Sequence, residues 1–511
     1  MEFIGWSFDV AREQSLSPDR LSTTLRDSGD AGYNALGLYL EHRFRYPSAP
    51  FATADGCLRP EDVRATSASA RAARVRLIPF LNTLGHMEGF IRAEGGQWLA
   101  EGPASGSLQM CATRAECRDF ARGLVRDALA AFDDEWVHLG GDETRQLGQC
   151  ARCEPRVREA GPAALYAEYF APLCEWVLKQ GRRPALWGDM LLKHPEALAQ
   201  LPRQTLIFDW QYFQRPLEST QRFRDAGFDV VCCPSLQTYN SGWCFWDATR
   251  EILDQHLEDA QKLGARGVML TTWEFSYFSQ FAPVQPLVLA AGRRMARGQS
   301  WHDALRAAGG ESYAEAAETL GVRLPAASAF LKRGSWRRLR DALVIRQNPF
   351  QLWLRWPESA GADGTRVLEL CTLARHQARG DARLDFAILL HETAIHWVRI
   401  VQAAAAEYRA GRSSAAAQRL RDAGVETLAR LRPGLVAAAA QGGASADGAR
   451  LDKLIARVHE VAARLDALAA CDSTAFRPAF ECVCHDGYVH GDQAGWRSSD
   501  PYEPPRNDEA Q

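Results

Sequence analysis

Four things are absent from this 511-residue chain, and each absence removes a class of function. Charge of one sign is absent: 60 Lys and Arg stand against 63 Asp and Glu, for a net charge of -3. Nothing in that balance points to nucleic acid or an acidic membrane surface as a partner. A long apolar run is absent too. No segment approaches the roughly 20 residues that a membrane helix needs. The start, Met1-Glu-Phe-Ile-Gly-Trp-Ser-Phe-Asp9, has neither the basic opening nor the apolar stretch of a signal peptide. A disulfide framework is absent: the 13 cysteines are odd in number and irregularly spaced, with Cys232 and Cys233 adjacent. Reduced thiols and a cytoplasmic protein are the expectation. Internal repeats beyond an alternation of strands and helices are also absent.

What is present is ordinary globular material, 46% hydrophobic and 24% charged, long enough for more than one domain. The 15 tryptophans serve core packing in most proteins, and stacking on sugar rings is a second use. Up to about residue 290, short β-rich runs alternate with amphipathic stretches. The expected strands are 3–10, 33–41, 75–82, 135–140, 184–188, 205–210, 228–233 and 267–273. Helical patterns at 17–28, 60–73, 115–131 and 165–180 lie between them. Eight such units predict right-handed crossovers, a parallel sheet and a TIM barrel over residues 1–295.

Beyond residue 300 the texture becomes Ala/Leu/Arg-rich and helical, at 328–348, 385–409, 413–440 and 449–470. This predicts a C-terminal α-helical domain over 296–475, followed by an irregular tail over 476–511 rich in Asp, Pro, Gly and Ser. Trp353, Trp356 and Trp397 fall at helical positions and read as core. The helical region could cover the barrel, lend a residue to its pocket or form the interface of a homodimer.

A barrel of this kind keeps its active site where the strands end, so the residues there carry the functional reading. They are Asp9 and Arg12; Tyr39, Glu41 and His42; Asn82 and His86; His138, Asp142 and Glu143; Trp187 and Asp189; Asp209, Trp210 and Tyr212; Gln237, Tyr239 and Asn240; Trp273 and Glu274. Every strand ends in polar or aromatic groups, as a pocket for a polyhydroxylated ligand would require. The densest stretch is Trp136-Val-His-Leu-Gly-Gly-Asp-Glu-Thr144. On a continued strand His138, Gly140 and Asp142 would share a face, with Glu143 pointing away unless the glycines turn the chain. His138 is then either a core histidine or a partner to one of the two acids. The plain alternative is a turn whose acids face solvent.

The string His138-Leu-Gly-Gly-Asp-Glu143 resembles the signature of family 20 glycoside hydrolases, the β-N-acetylhexosaminidases. Other stretches of the first 280 residues are similar to that family as well. Phe8-Asp-Val-Ala-Arg12 resembles its first-strand motif, whose arginine grips sugar hydroxyls. Thr83-Leu-Gly-His86 resembles its third strand, Leu186-Trp-Gly-Asp-Met190 its fifth, and Thr272-Trp-Glu274 the last-strand pair that closes the pocket. Tyr239 occupies the place of the tyrosine that holds the acetamido oxygen. Two departures stand out. Asn82 and Leu84 replace an Asp and a Pro of many members, and the chain begins almost on its first strand without an α+β domain ahead of it. The first implies a different charge relay around His86, and the second places the chain closer to a compact subgroup resembling hexosaminidase D.

The resemblance implies an exo-β-N-acetylhexosaminidase that retains configuration, needs no cofactor and takes a small carbohydrate ending in β-linked GlcNAc or GalNAc. It implies that the substrate's 2-acetamido oxygen is the nucleophile, an exception to the two-carboxylate scheme of most retaining enzymes. Glu143 would be the general acid and base and Asp142 the residue that orients the acetamido group. Arg12, His86, His138, Trp187, Trp210, Tyr239, Trp273 and Glu274 would bind the sugar. Two other readings use the same residues. One is a metal-dependent hydrolase with His138, Asp142, His86 and Glu41 as ligands, weakened by the lack of an HxH pair on the first strand. The other is a sugar-binding barrel without turnover. Cys150-Ala-Arg-Cys153 is half of a zinc site, and Cys482-Val-Cys-His485 could complete it. With no second CxxC the expectation is free thiols and no metal.

Overall fold

The computed structural model describes residues 1–11, 17–53, 57–103, 107–238, 241–273, 281–328, 331, 363–411, scattered positions from 415 to 437, and two strands at 482–485 and 488–490. Short runs rich in Val, Ile, Leu and aromatic residues form the strands β1 (Phe3–Asp9), β2 (Ala35–Tyr39), β3 (Arg76–Phe80), β4 (Trp136–His138), β5 (Arg183–Trp187), β6 (Leu206–Trp210), β7 (Val230–Cys233), β8 (Ser235–Leu236) and β9 (Gly267–Thr272). All neighbours pair in parallel. The sheet closes where β1 meets β9, from Phe3 opposite Gly267 to Phe8 opposite Thr272. Pro234 lacks the N–H that a continuous strand would donate, so one barrel position is split into β7 and β8. Both pieces pair with β9. The result is the expected closed (β/α)8 TIM barrel, eight strands around one core.

The helices between the strands begin and end on local chemistry. Helix α1 (Pro18–Ala31) opens with Ser17 Oγ accepting the Arg20 N–H at 3.2 Å and stops at Gly32, whose φ of 97° is left-handed. Helix α2 (Pro60–Ala73) carries Pro at its first position, with Asp62 accepting the Arg59 N–H at 2.9 Å. The barrel interior is strongly aromatic. Phe3, Tyr39, Phe80, Trp136, Trp187 and Phe208 are all at most 2% exposed and belong to one cluster. Edge-to-face contacts run through it, such as Phe80 on Phe208 at 5.4 Å and Trp187 on Phe208 at 5.9 Å. Each is worth roughly 0.5–1.5 kcal/mol beyond area burial.

Two compact units emerge from the contacts, one comprising 1–236, 249–273 and 288–304, the other the remainder. The first holds the barrel. The second includes helices at Glu311–Glu318, Gly364–Ala378 and Ala382–Gly411. Within it, Tyr313 donates to the Pro283 carbonyl, and the Arg383 guanidinium lies 4.9 Å over the Tyr313 ring. The expected helices at 328–348 and 449–470, Trp353 and Trp356, and the side chain of Trp397 lie outside the described residues. In the stretch expected as an irregular tail, Cys482–His485 and Tyr488–His490 pair as a short antiparallel hairpin. Among the described residues no helix is long and apolar enough to cross a membrane.

Candidate active site

Strand β4 is only three residues long, and its brevity builds the site. Gly140 and Gly141 follow it with φ of 78° and 93°, angles that side-chain-bearing residues rarely adopt. A Cβ on Gly140 would meet the Leu81 carbonyl at 2.7 Å, and one on Gly141 the Tyr166 hydroxyl at 2.7 Å. The strand alternation therefore stops at His138. The chain turns, and Asp142 and Glu143 emerge together at the C-terminal mouth of the barrel.

His138 itself points into the dry interior. Its ring stacks on Phe80 at 4.5 Å and an angle of 19°, with Trp187 at 4.3 Å and Phe208 at 4.9 Å. Nδ1 accepts the Gly140 N–H at 3.0 Å, which leaves the proton on Nε2. Burial holds its pKa well below the usual histidine value, so the ring is a neutral part of the core. Of the two sequence readings of His138, the geometry gives the core histidine. This also removes one ligand from the metal-hydrolase set.

His86 occupies the opposite kind of place. It follows Gly85, where a Cβ would lie 2.7 Å from the Asp142 carbonyl, so the two loops touch backbone to backbone. Its Nε2 lies 3.4 Å from Asp142 Oδ2 and 3.5 Å from Glu143 Oε2, and its Nδ1 lies 3.9 Å from Glu88 Oε1. Burial opposes a charge on the ring, but Asp142 by charge and hydrogen bond, then Glu143 and Glu88, outweigh it and hold the pKa well above the usual value. An imidazolium thus sits between two carboxylates.

Asp189 ties this cluster to the next strand. Its carboxylate accepts the Glu143 N–H at 3.0 Å and the Trp210 Nε1–H at 3.2 Å. Burial, and then the neighbouring Asp142 charge, push its pKa up to about 7. Glu143 is further held by Arg145, whose guanidinium donates to Oε1 at 2.8 Å. The local backbone is strained as well: Glu41, His86 and Glu143 have φ of 40°, 51° and 46°. Non-glycine residues in this region cost about 1–3 kcal/mol and concentrate at functional sites.

An aromatic wall completes the mouth. Trp210 stacks on Tyr212 at 4.9 Å, and Trp273 donates through Nε1 to the Tyr212 hydroxyl at 2.6 Å. Trp273 also meets Tyr39 edge-on at 4.9 Å and Trp187 at 5.9 Å. Trp187 is 1% exposed, which makes it the floor beneath the wall rather than a free sugar platform. Trp210 and Trp273 are half-buried and present more surface. Asn82 donates to the Tyr39 hydroxyl at 2.9 Å. Of the residues expected to bind sugar, Arg12, Tyr239 and Glu274 lie outside the described residues.

Asp189 and Tyr212 stood at strand ends in the sequence, but nothing there marked them above their neighbours. Their importance comes from hydrogen bonds to residues 46 and 61 positions away.

Residues 22–263 match the family described as glycosyl hydrolase family 20, catalytic domain. A protein of Arthroderma benhamiae described as a probable beta-hexosaminidase is 22% identical over 212 residues, which cover 36% of this chain and 33% of that one. The chain thus spans about a third of the length of that curated relative. Among solved structures, a GH20 exo beta-N-acetylglucosaminidase from Vibrio harveyi, in complex with N-acetylglucosamine, has a TM-score of 0.49 and 16% identity. It covers 61% of this chain and 57% of its own. A beta-N-acetylhexosaminidase from Bacteroides fragilis has a TM-score of 0.45 and 16% identity, covering 58% and 66%.

Proposed function

We propose that the barrel, whose residues 22–263 match the family 20 catalytic domain, acts as a member of that family and removes terminal β-linked GlcNAc or GalNAc from the non-reducing end of a glycan or oligosaccharide, with retention. The observation that carries the reading is the single His86 imidazole in contact with both Asp142 and Glu143. Two acids held to one ring edge from one turn are poorly placed to flank a glycosidic bond from opposite sides, as an acid and a protein nucleophile about 5 Å apart must do. They suit a reaction in which the substrate supplies the nucleophile.

In that reaction Glu143, at the more open end of the cluster, protonates the leaving oxygen and later takes a proton from the attacking water. Asp142 orients the acetamido group and faces the positive charge of the oxazolinium intermediate. Its Oδ1 is buried and has no hydrogen-bond donor among the described residues. Such an acceptor is costly to leave unpaired, and an entering acetamido N–H would satisfy it. His86 places a positive charge between the carboxylates, and Asp189 fixes the Glu143 backbone. Trp210 and Trp273 offer apolar faces to the sugar ring.

Hydrolysis of aryl β-glycosides of GlcNAc, GalNAc and glucose by the wild type, Asp142→Asn and Glu143→Gln tests the proposal. Turnover of the two acetamido sugars alone, reduced in both variants, is the expected result. Equal turnover of the glucoside would remove the acetamido nucleophile. Binding of GlcNAc with no turnover of any sugar would leave a sugar-binding barrel.

A further inference from the structure

Four side chains converge on the loops beside the acids without belonging to their chemistry. Glu101, Cys111, Cys150 and Cys153 each offer one donor atom, and all four atoms lie within 4.8 Å of one another. Glu101, Cys111 and Cys153 are at most 1% exposed. The Cys111 sulfur lies 3.6 Å from both the Cys150 and the Cys153 sulfur, and Cys153 lies 3.3 Å from Glu101 Oε2. We propose that these four residues form a structural site for a thiophilic divalent cation, zinc above all, that clasps together the two loops carrying His86 and the Asp142–Glu143 pair.

The distances suit the ion. A tetrahedral zinc with bonds of about 2.3 Å to sulfur and 2.0 Å to oxygen spaces its sulfurs about 3.8 Å apart and its sulfur–oxygen pairs about 3.5 Å apart. A disulfide would need about 2.05 Å. The sulfurs are also cradled as metal-bound thiolates are. Cys111 accepts from the backbone N–H groups of Thr113 and Arg114, and Cys150 from those of Arg152 and Cys153. Each sulfur thus receives amides two and three residues ahead, in a tight turn that offsets negative charge on sulfur. Zinc entry would release the thiol protons to solvent, leaving three thiolates and a carboxylate around a doubly charged ion.

The sequence showed only the Cys150–Cys153 half of this set. Its partners come from 39 and 49 residues upstream. Cys482 and Cys484 are not required to complete it.

The site lies on the scaffold of the active loops. Cys111 sits on the loop after β3, which hydrogen-bonds to the His86 segment through Met87 N–H to Leu108 O and Met110 N–H to Leu84 O. Cys150 and Cys153 sit on the loop after β4, seven and ten residues beyond Glu143. Direct bonds already join the loops, from the Leu108 N–H to Gln146 Oε1 at 2.8 Å and from the Cys150 N–H to Glu101 Oε1 at 3.0 Å. A metal here would set the spacing of His86 from both acids without touching substrate.

The test is elemental analysis and native mass spectrometry of the full chain expressed with zinc. Cobalt titration of the chelator-stripped protein and a circular dichroism melt accompany it. Roughly one zinc per chain, thiolate-to-cobalt charge-transfer bands, and metal content down about tenfold or more in Cys111→Ser and Cys153→Ser are expected. Glu101→Gln, which keeps the fold's volume, should weaken zinc retention if either cysteine variant fails to fold. Protein that purifies without zinc from zinc-supplemented cells and gives no cobalt bands on titration overturns the proposal. So does a disulfide among these cysteines in freshly purified protein. Metal content is read apart from hydrolysis, so this result stands or falls separately from the glycosidase reading.

Discussion

Two histidines of opposite character, His138 and His86, divide the barrel into a dry interior and a charged mouth. Both belong to the C-terminal ends of parallel strands, His138 as the last residue of β4 and His86 six residues beyond β3, and both were candidate site residues. His138 lies among Phe80, Trp187 and Phe208, and burial keeps it neutral. His86 lies among Asp142, Glu143 and Glu88, and those carboxylates keep it charged against the same burial. Residue type did not assign the roles. The deciding event is where each strand ends: β4 still holds His138 inside the sheet, whereas β3 has released the chain before His86.

The sharpest way to break this contrast is at the mouth. Glu143→Gln should lower kcat for an aryl β-GlcNAc substrate by about 10²–10⁴, the usual worth of a general acid and base, with thermal stability little changed. Asp142→Asn should cost about 10²–10³, as losing one electrostatic stabiliser of a transition state does. A steady-state assay beside a circular dichroism melt checks both. A variant that lost stability in proportion to activity would make these residues structural.

His86→Gln should cost less, about tenfold to a hundredfold in kcat/KM, and should change the pH profile. A histidine whose folded pKa is raised contributes its charge fully below the ordinary value and loses it as pH rises through the elevated one. The alkaline fall in kcat/KM should therefore flatten in the variant. If both profiles coincide, the imidazolium is not part of the active form.

Asp189 sharpens the boundary between the regions. Its pKa of about 7 lies above the ordinary carboxylate value, so its neutral form favours folding at low pH. That contribution is lost as pH rises from about 4 through about 7. Asp189→Asn should flatten the pH dependence of denaturation midpoints in this window. The smallest effect on activity belongs to His138→Phe, which deprives the buried Gly140 N–H of its acceptor. It should cost about 1–3 kcal/mol in stability and leave the pH–rate profile in place.

The fold was legible because each strand was a short β-rich run and each crossover helix had its own periodicity. Eight such units leave little besides a barrel. The acids were legible because two glycines and two carboxylates are adjacent in the chain. The Asp189 hub and the Cys111 and Glu101 partners of Cys150-Ala-Arg-Cys153 were not. Each depends on loops that only the closed barrel brings together, and no local spacing encodes them. The depth of Trp187 was not legible for a related reason: its strand position showed that it faced inward, but not that Trp273 would meet it at 5.9 Å.

The most direct test of the central claim replaces the substrate rather than the protein. Aryl β-GlcNAc derivatives bearing none, one, two or three fluorines on the acetamido methyl carry a progressively weaker oxygen nucleophile at nearly constant shape. The account predicts that kcat falls steeply with each fluorine in the wild type. A rate that ignores the fluorines would show that the acetamido oxygen does not attack, and the assignment of Asp142 as its holder would fall with it.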